Sequence, residues 1–597
     1  MGVFFLDKKF KIIKNVLPLL LYICYNIYED KNMAYFLRQD KRKKGIYLQI
    51  CDSKRIKGTG KNKTTVYRTL GYLNGLIAQG QKDPITDAKA EILELNAAAK
   101  ETNKAKIGDE QLSKNVGYFL IKSIIDDCKF QKDLLPMLLM NDKNPKYVDI
   151  LMDLIYARVV YPCSKSKTYE EILDKLFIEK KYSKDDVYAA IHFWGQEYKK
   201  VIECFKRRSE QIHKYDTKNV LFDCANFYFE IDREDDLRRR GPSKETRKDP
   251  IIGMALLLDS TGMPLGMNMY PGNQSEKPEI RKMIEETKNK YDIKGRTIQI
   301  ADKGLNCAKN IYEALVTNGG YIFSKSIKQL PDVEKTWVFL DNDFIETKNA
   351  KGDVVFKYKE CIDDFPYSFI KDDKTKAVFK SKEKRIVTWN ADLASKKLAE
   401  LARIEEKLNN LILSKAKKEM YGFYSEYVDL KCFDSDGNVL DSKIKSLIKK
   451  DKIEQDKKMA GYNMIVTSEY KNDAMKIYEL YHNLWKIEET FRVMKTDLNA
   501  RPVYMQKENG IFGHFLICYL AVLLIRLLQQ DIFKGKYSDA DIIKFIRNFN
   551  VTKGYQDIYT NTLLKSKMAD ELANSYSHKI TNLYLELKEI KKILNID

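Results

Sequence analysis

Between Tyr481 and Leu498 the chain reads YHNLWKIEETFRVMKTDL, and two side-chain stripes run along it. Leu480, Leu484, Ile487, Phe491, Met494 and Leu498 recur at steps of four and three, the period of an amphipathic helix with one buried face. Tyr481, Trp485, Glu488, Arg492 and Lys495 keep nearly the same steps about 100° around the helix. A carboxylate among cations and rings, on a helix anchored by its apolar side, is able to present a metal ligand to a phosphodiester. The same residues suit a solvated face, because Glu followed by Arg at i+4 is an ordinary surface pair. Two aspartates offer further ligands. Asp223 directly follows the apolar run Val220–Phe222 within the β-rich segment Asn219–Ile231. A bare carboxylate is costly there, and a bound metal is the economical partner. Asp302 follows a second strand-like run, Arg296–Ile300, at a turn through Lys303-Gly304.

The spacing of Tyr481, position 484, Glu488 and Lys495, with Trp485, Ile487 and Phe491 forming W-x-I-E-x-x-F, resembles the YREK signature of bacterial insertion-sequence transposases of the DDE type. Leu484 stands where that signature has Arg, and it belongs to the apolar stripe. Other phrases are similar to the same family: Ala157–Lys167, Gly241–Arg247, Gly266–Glu276 and Ala301–Gly304. The resemblance implies that Asp223, Asp302 and Glu488 are catalytic and hold two Mg²⁺ ions, with Mn²⁺ as the substitute. It implies that Tyr481, Arg492 and Lys495 grip DNA phosphates, whereas Trp485 is expected to pack in the core. Double-stranded DNA, as element ends and as target, is the implied partner, bound by a homodimer. The implied activity is cleavage at terminal inverted repeats and transfer of the 3′-OH strands, in a cytoplasmic, nucleoid-associated bacterial enzyme. The alternative is a DNA-binding protein of the same fold without turnover, in which Leu484 marks decay.

The elements that must position these residues read as an α/β chain. Strands are expected at Asn219–Ile231, Ile251–Leu258, Met263–Tyr270, Arg296–Ile300 and Tyr321–Ser324, with helices at Lys277–Tyr291 and Cys307–Val316. Three strands, helix, strand, helix, strand is the order of a ribonuclease-H-like mixed sheet. We expect this catalytic domain to occupy 217–330 and 461–530, interrupted by a β-rich insertion at 331–460. A small basic β-containing segment (33–84) and a helical DNA-binding or dimer domain (85–216) precede it, and C-terminal helices (531–597) follow.

Composition sets the outer bounds. The chain has 597 residues, 44% hydrophobic and 32% charged, enough for several domains with sizeable cores. Lys and Arg number 105 against 85 Asp and Glu, a net charge of +20 that favours a polyanionic partner. The ten Cys form no C-x-x-C pair, so neither a zinc site nor a disulfide framework is implied. Gly510–Gln529 is the most hydrophobic run, but His514 and Arg526 interrupt it, and a buried helix rather than a membrane span is expected. Residues 1–32 read as a leader ahead of a native start at Met33.

Overall fold

Alternating side chains and a two-residue turn at Lys43-Lys44 set the first hairpin. Strands β1 (Ala34–Arg42) and β2 (Gly45–Arg55) pair antiparallel from Arg42↔Gly45 outward, and β3 (Asn62–Tyr72) adds to β2. Helix α1 (Pro84–Thr102) is pinned to β1, because the Tyr35 amide donates to Asn96 Oδ1 at 2.8 Å and Asn96 Nδ2 donates back to the Tyr35 carbonyl at 3.1 Å. The computed structural model describes residues 34–55, 62–102, 113–242, 249–290, 296–413, 426–432, 444–554, 557–576 and 579–596. The leader, Met33, residues 56–61 of the basic tract and residues 243–247 of the Gly241–Arg247 phrase lie outside the described residues. The chain divides into two compact units at 110/111, so α1 groups with the first sheet and not with the helices that follow.

The second unit opens with strand β4 (Ser113–Asn115), then helices α2 (Phe119–Cys128), α3 (Gln131–Leu139) and α4 (Lys146–Val160). A short helical turn through Lys165–Lys167 leads to α5 (Lys184–Gln196) and α6 (Tyr198–Ser209), which divide at Glu197 a segment that reads as one helix. Strands β5 (Asn219–Tyr228), β6 (Ile251–Asp259) and β7 (Pro264–Pro271) form a meander. Its second turn is set by Asp259, whose Oδ1 accepts from the amides of Thr261 and Met263 at 2.9 and 2.8 Å, with Gly262 at φ +94°. Helix α7 (Lys277–Lys290), β8 (Ile298–Ala301), α8 (Ala308–Val316) and β9 (Gly320–Lys325) follow.

Helix α9 (Asp332–Phe339) contains most of Trp337–Leu340, whose Trp, Val and Phe favour a strand. Its i, i+4 bonds, such as Leu340 N to the Thr336 carbonyl at 3.1 Å, override the local β preference. Strands β10 (Ile345–Lys348), β11 (Val354–Ile370) and β12 (Lys376–Asn390) precede helix α10 (Ala391–Leu413), the pair β13 (Val428–Cys432) and β14 (Ile444–Ile448), and helix α11 (Lys450–Lys458). Strand β15 (Tyr462–Thr467) returns to the main sheet, whose order is β10-β11-β12-β15-β9-β8-β5-β6-β7. The long strands of the expected insertion thus extend the central sheet. Within β7-β6-β5-β8-β9 only β6 runs against its neighbours.

Helices α12 (Ala474–His482) and α13 (Trp485–Arg492) come next, then α14 (Glu508–Leu527), which is buried almost along its whole length. The tail holds α15 (Asp539–Asn548), β16 (Asn550–Lys553), β17 (Ile558–Asn561), α16 (Lys567–Tyr576), β18 (Tyr584–Glu586) and α17 (Leu587–Leu594). It was expected to be helical, yet its three strands form a sheet with β4, in order β18-β17-β16-β4. The edge of β4 gives the backbone of β16 a partner that no local pattern reveals.

Candidate active site

Strand parity decides which way Asp223 points. Val220, Phe222 and Cys224 of β5 enter the core layer packed with Tyr321 and Phe323, whereas Leu221, Ala225 and Phe227 enter the opposite, helix-rich layer. Successive side chains alternate, so Asp223 lies on the helix-rich face with Leu221 and Ala225. On β8, Ile298 and Ile300 enter that same layer and Ala301 the other, so position 302 shares the face of Asp223. The two strands are parallel neighbours with Val220↔Gln299 and Leu221↔Ile300 in register. The pairing ends at Leu221↔Ile300, so Asp223 lies two residues further along β5 and Asp302 just past the end of β8, both toward the same end of the sheet.

Asp223 is half-buried and Asp302 exposed at the strand end. Asp302 accepts from the Ser324 hydroxyl at 3.2 Å and from the Tyr481 hydroxyl at 3.3 Å, both to Oδ1. Ser324 carried no signal of its own; its place follows from parity with Ile322 on β9. Burial first, then the charges of Asp302 and Glu488, push the Tyr481 hydroxyl above the usual tyrosine range. Both carboxylates therefore act on this one side chain.

The segment carrying Glu488 differs from a single helix. After α12 the chain tightens, with Leu484 N bonded to the Tyr481 carbonyl and Ile487 N to the Leu484 carbonyl, both at 3.1 Å and three residues back. Helix α13 then ends in a π turn, Val493–Asp497. Ile487, Phe491 and Met494 are buried in the same layer as Leu221 and Phe227, with Leu484 partly buried against it. This seats α13 on the face that carries Asp223 and leaves Glu488 exposed at its first turn.

The remaining expected site residues divide. Tyr481 is at Asp302. Lys495 reaches back to β5, with Nζ 5.1 Å from the Phe227 ring centroid. Arg492 is held by protein carboxylates, Asp497 at 3.1 Å and Glu489 at 3.7 Å. Trp485, expected in the core, is 54% exposed. Its ring faces outward with the polar stripe of the helix, which begins at this residue.

Asp223, Asp302 and Glu488 are hard oxygen donors of the kind that suits Mg²⁺. Among the described residues, no group of three or more His, Cys, Asp or Glu side chains lies close enough to hold an ion. The two aspartates lie at the same end of neighbouring strands, and Asp302 and Glu488 both act on Tyr481.

Residues 230–524 match the transposase DDE domain family, a span that contains Asp302 and Glu488 and begins just after Asp223. A probable transposase for insertion sequence element IS5377 from Geobacillus stearothermophilus is 27% identical over 85 residues. That alignment covers 14% of this chain and 22% of the relative. The cryo-EM structure of a piggyBac transposase synaptic complex with hairpin DNA aligns with 72% of this chain and 78% of its own, at 9% identity and a TM-score of 0.36. The 230–524 segment is thus identified as a transposase DDE domain, of the kind found in insertion-sequence transposases of the DDE type.

Proposed function

We propose that this protein binds the terminal inverted repeats of its own element, cuts the DNA at their ends, and joins the released 3′-OH strands to target DNA. The observation that supports this reading is that β5, which carries Asp223, and β8, which ends one residue before Asp302, are adjacent parallel strands, with Tyr481 of the segment before Glu488 bonded to Asp302. The strand order β7-β6-β5-β8-β9, with β6 alone reversed, supports a ribonuclease-H-like catalytic domain. Glu488 is the third carboxylate, delivered by a helix seated on the same face.

Asp223, Asp302 and Glu488 are the residues that would hold Mg²⁺ or Mn²⁺, two ions in this reading, and the metal would supply positive charge to the attacking and leaving oxygens of an in-line displacement. In the first reaction a water oxygen bonds to the scissile phosphorus as the P–O3′ bond breaks, leaving a 3′-OH and a 5′-phosphate. In the second, that 3′-OH bonds to a target phosphorus and a target 3′-OH leaves. No covalent bond to the protein is needed. Tyr481 orients Asp302 through its hydroxyl, and Lys495, on the same face, offers charge to a phosphate beside the scissile bond. Arg492 joins them when DNA draws it from Asp497. Double-stranded DNA is the partner, a homodimer presents two sites to paired ends, and the setting is the bacterial cytoplasm at the nucleoid.

Leu484 favours a second reading. Its side chain packs against the core and supplies no cation, as expected of a DNA-binding relative that has lost turnover. Cleavage of a plasmid carrying the terminal repeats in Mg²⁺, compared with Glu488→Gln, separates the two. Cutting at the repeat ends that is lost in the variant is the expected result. Cutting that persists removes Glu488 from the triad, and binding without cutting by either protein leaves the second reading.

A further inference from the structure

A cavity of about 560 Å³ opens between the Cys163–Lys167 turn and the chain from Asn499 to Met505. Arg158, at the end of α4, and Lys165 both line it, and they are 4% and 5% exposed. Neither has a carboxylate partner among the described residues. Arg158 donates from Nη1 to the carbonyls of Leu498 and Asn499 at 3.3 and 3.4 Å, and its buried Nε has no partner. Lys165 has no acceptor among the described residues, and its neighbours in charge are Arg158 and the thiols of Cys518 and Cys163. Burial, then Arg158, pushes its amine well below the usual lysine range.

Nearby groups do not supply the missing negative charge. His514, on the cavity wall, is kept neutral by burial and by Arg158 and Lys165, and its Nε2 is 3.0 Å from the Ala500 carbonyl. Glu170, which accepts from Ser166, is taken up by Lys184 at 2.5 Å. Lys167 is paired outward with Glu171 at 3.7 Å. A buried guanidinium beside a buried amine that gives up its proton for want of an anion is a pair that an anionic ligand would stabilise.

We propose that this cavity binds a phosphate group, with the Lys165 amine and the Arg158 guanidinium as its ligands. Both are strong phosphate donors, the guanidinium by its planar fork and the ammonium as a point charge. A phosphate entering here gives Arg158 Nε an acceptor and restores the proton on Lys165. Tyr504, 69% exposed and lining the same cavity, offers a ring to whatever the phosphate is attached to. The source favoured by position is a DNA strand, and this part rests on the transposase reading. Arg501, the chain neighbour of the lining residue Pro502, lies 5.4 Å from the ring centroid of Tyr228 at the end of β5, the strand that carries Asp223.

Two titrations on the full chain test the proposal. Melting temperature is followed as potassium phosphate replaces chloride at constant ionic strength, for the wild type and Lys165→Met. The wild type should gain stability with phosphate concentration and the variant should not. Binding of a fluorescent 30-base-pair duplex is then measured across a salt series. A log–log slope about 0.9 smaller in Lys165→Met assigns the phosphate to the DNA backbone. An unchanged slope, with the phosphate effect still lost, assigns the pocket to a free phosphate or nucleotide. No phosphate effect in the wild type, or an equal effect in the variant, overturns the proposal. If Lys165→Met fails to fold, acetic anhydride labelling of the wild type read by mass spectrometry decides: protection of Lys165 by phosphate supports the pocket, and equal labelling refutes it. The phosphate arm involves neither cleavage nor Glu488, so it stands or falls separately from the transposase reading.

Discussion

Replacing Arg526 with Met should cost more stability at pH 8 than at pH 6. Arg526 is buried on α14, where its guanidinium meets Glu489 at 3.0 Å, Asp539 at 3.1 Å and Gln529 at 2.7 Å. Asp539 is almost fully buried; burial raises its carboxyl and Arg526 opposes the rise, leaving it at about 6. Below that pH the carboxyl is protonated in both folded proteins, so the substitution removes only the charge-assisted bonds to Glu489 and Gln529, about 1.5–3 kcal/mol each at most. Above it, wild-type Asp539 ionises beside Arg526, whereas in the variant it must keep its proton. The folded variant then binds more protons than the unfolded chain, whose Asp titrates near 3.9, so its stability keeps falling as pH rises. The wild type stops losing stability near pH 6. The difference grows by about 1.4 kcal/mol per pH unit, or roughly 2.7 kcal/mol between pH 6 and pH 8. Urea unfolding at pH 6, 7 and 8 measures it, and His213, common to both proteins, cancels. Arg526→Met with Asp539→Asn should lose the pH-dependent part, having no carboxyl to protonate. An equal cost at pH 6 and pH 8 would refute the assignment of the buried pair.

Tyr481→Phe removes the hydroxyl that donates to Asp302 and should slow end cleavage by about tenfold without a change in melting temperature; a rate unchanged within error counts against its orienting role. Gly195→Ala places a Cβ 1.7 Å from the Asn509 carbonyl, where α5 crosses α14, and should cost about 3 kcal/mol by denaturant titration. His213 is buried between Asp531, 2.9 Å from Nδ1, and Asp259, 3.6 Å from Nε2; burial lowers its pKa, but the two carboxylates outweigh this and leave it raised. Its stabilising contribution is therefore complete below about pH 6.5 and is lost as pH rises through the folded value, a loss that thermal melts of His213→Asn should not show. Leu484→Arg should raise affinity for the DNA end if a phosphate contact is missing there, and unchanged or poorer end cleavage would show that this chain does not need one.

Much of the site was legible because its geometry depends on period and order, which are local. Alternation along β5 sets the face of Asp223, and the order of the strands puts Asp302 at the end of the neighbouring β8. The failures share a cause, dependence on something distant in the chain. Trp485 is the exception, because it faces outward with the polar stripe of the helix, against the core place expected for it. Arg492 lies on the same stripe, yet the π turn brings Asp497 back to claim it. The strands β10–β12 carry a β pattern without naming a partner, and their place follows from Ile386 meeting Ile465 on β15. Lys165 reads as part of a polar turn after Pro162. It becomes a buried amine facing a cavity whose other wall is built by the chain from Asn499 to Met505, far along the sequence. The same dependence accounts for Arg526: within a hydrophobic run it looks like an interruption, and in the fold it ties α14 to Glu489, the neighbour of Glu488. The aspartates are thus placed by a sheet whose logic is written locally. Glu488 is placed by a helix whose position relies on a buried ion pair and a packed core, so substitutions remote from the carboxylates should act on cleavage mainly through Glu488.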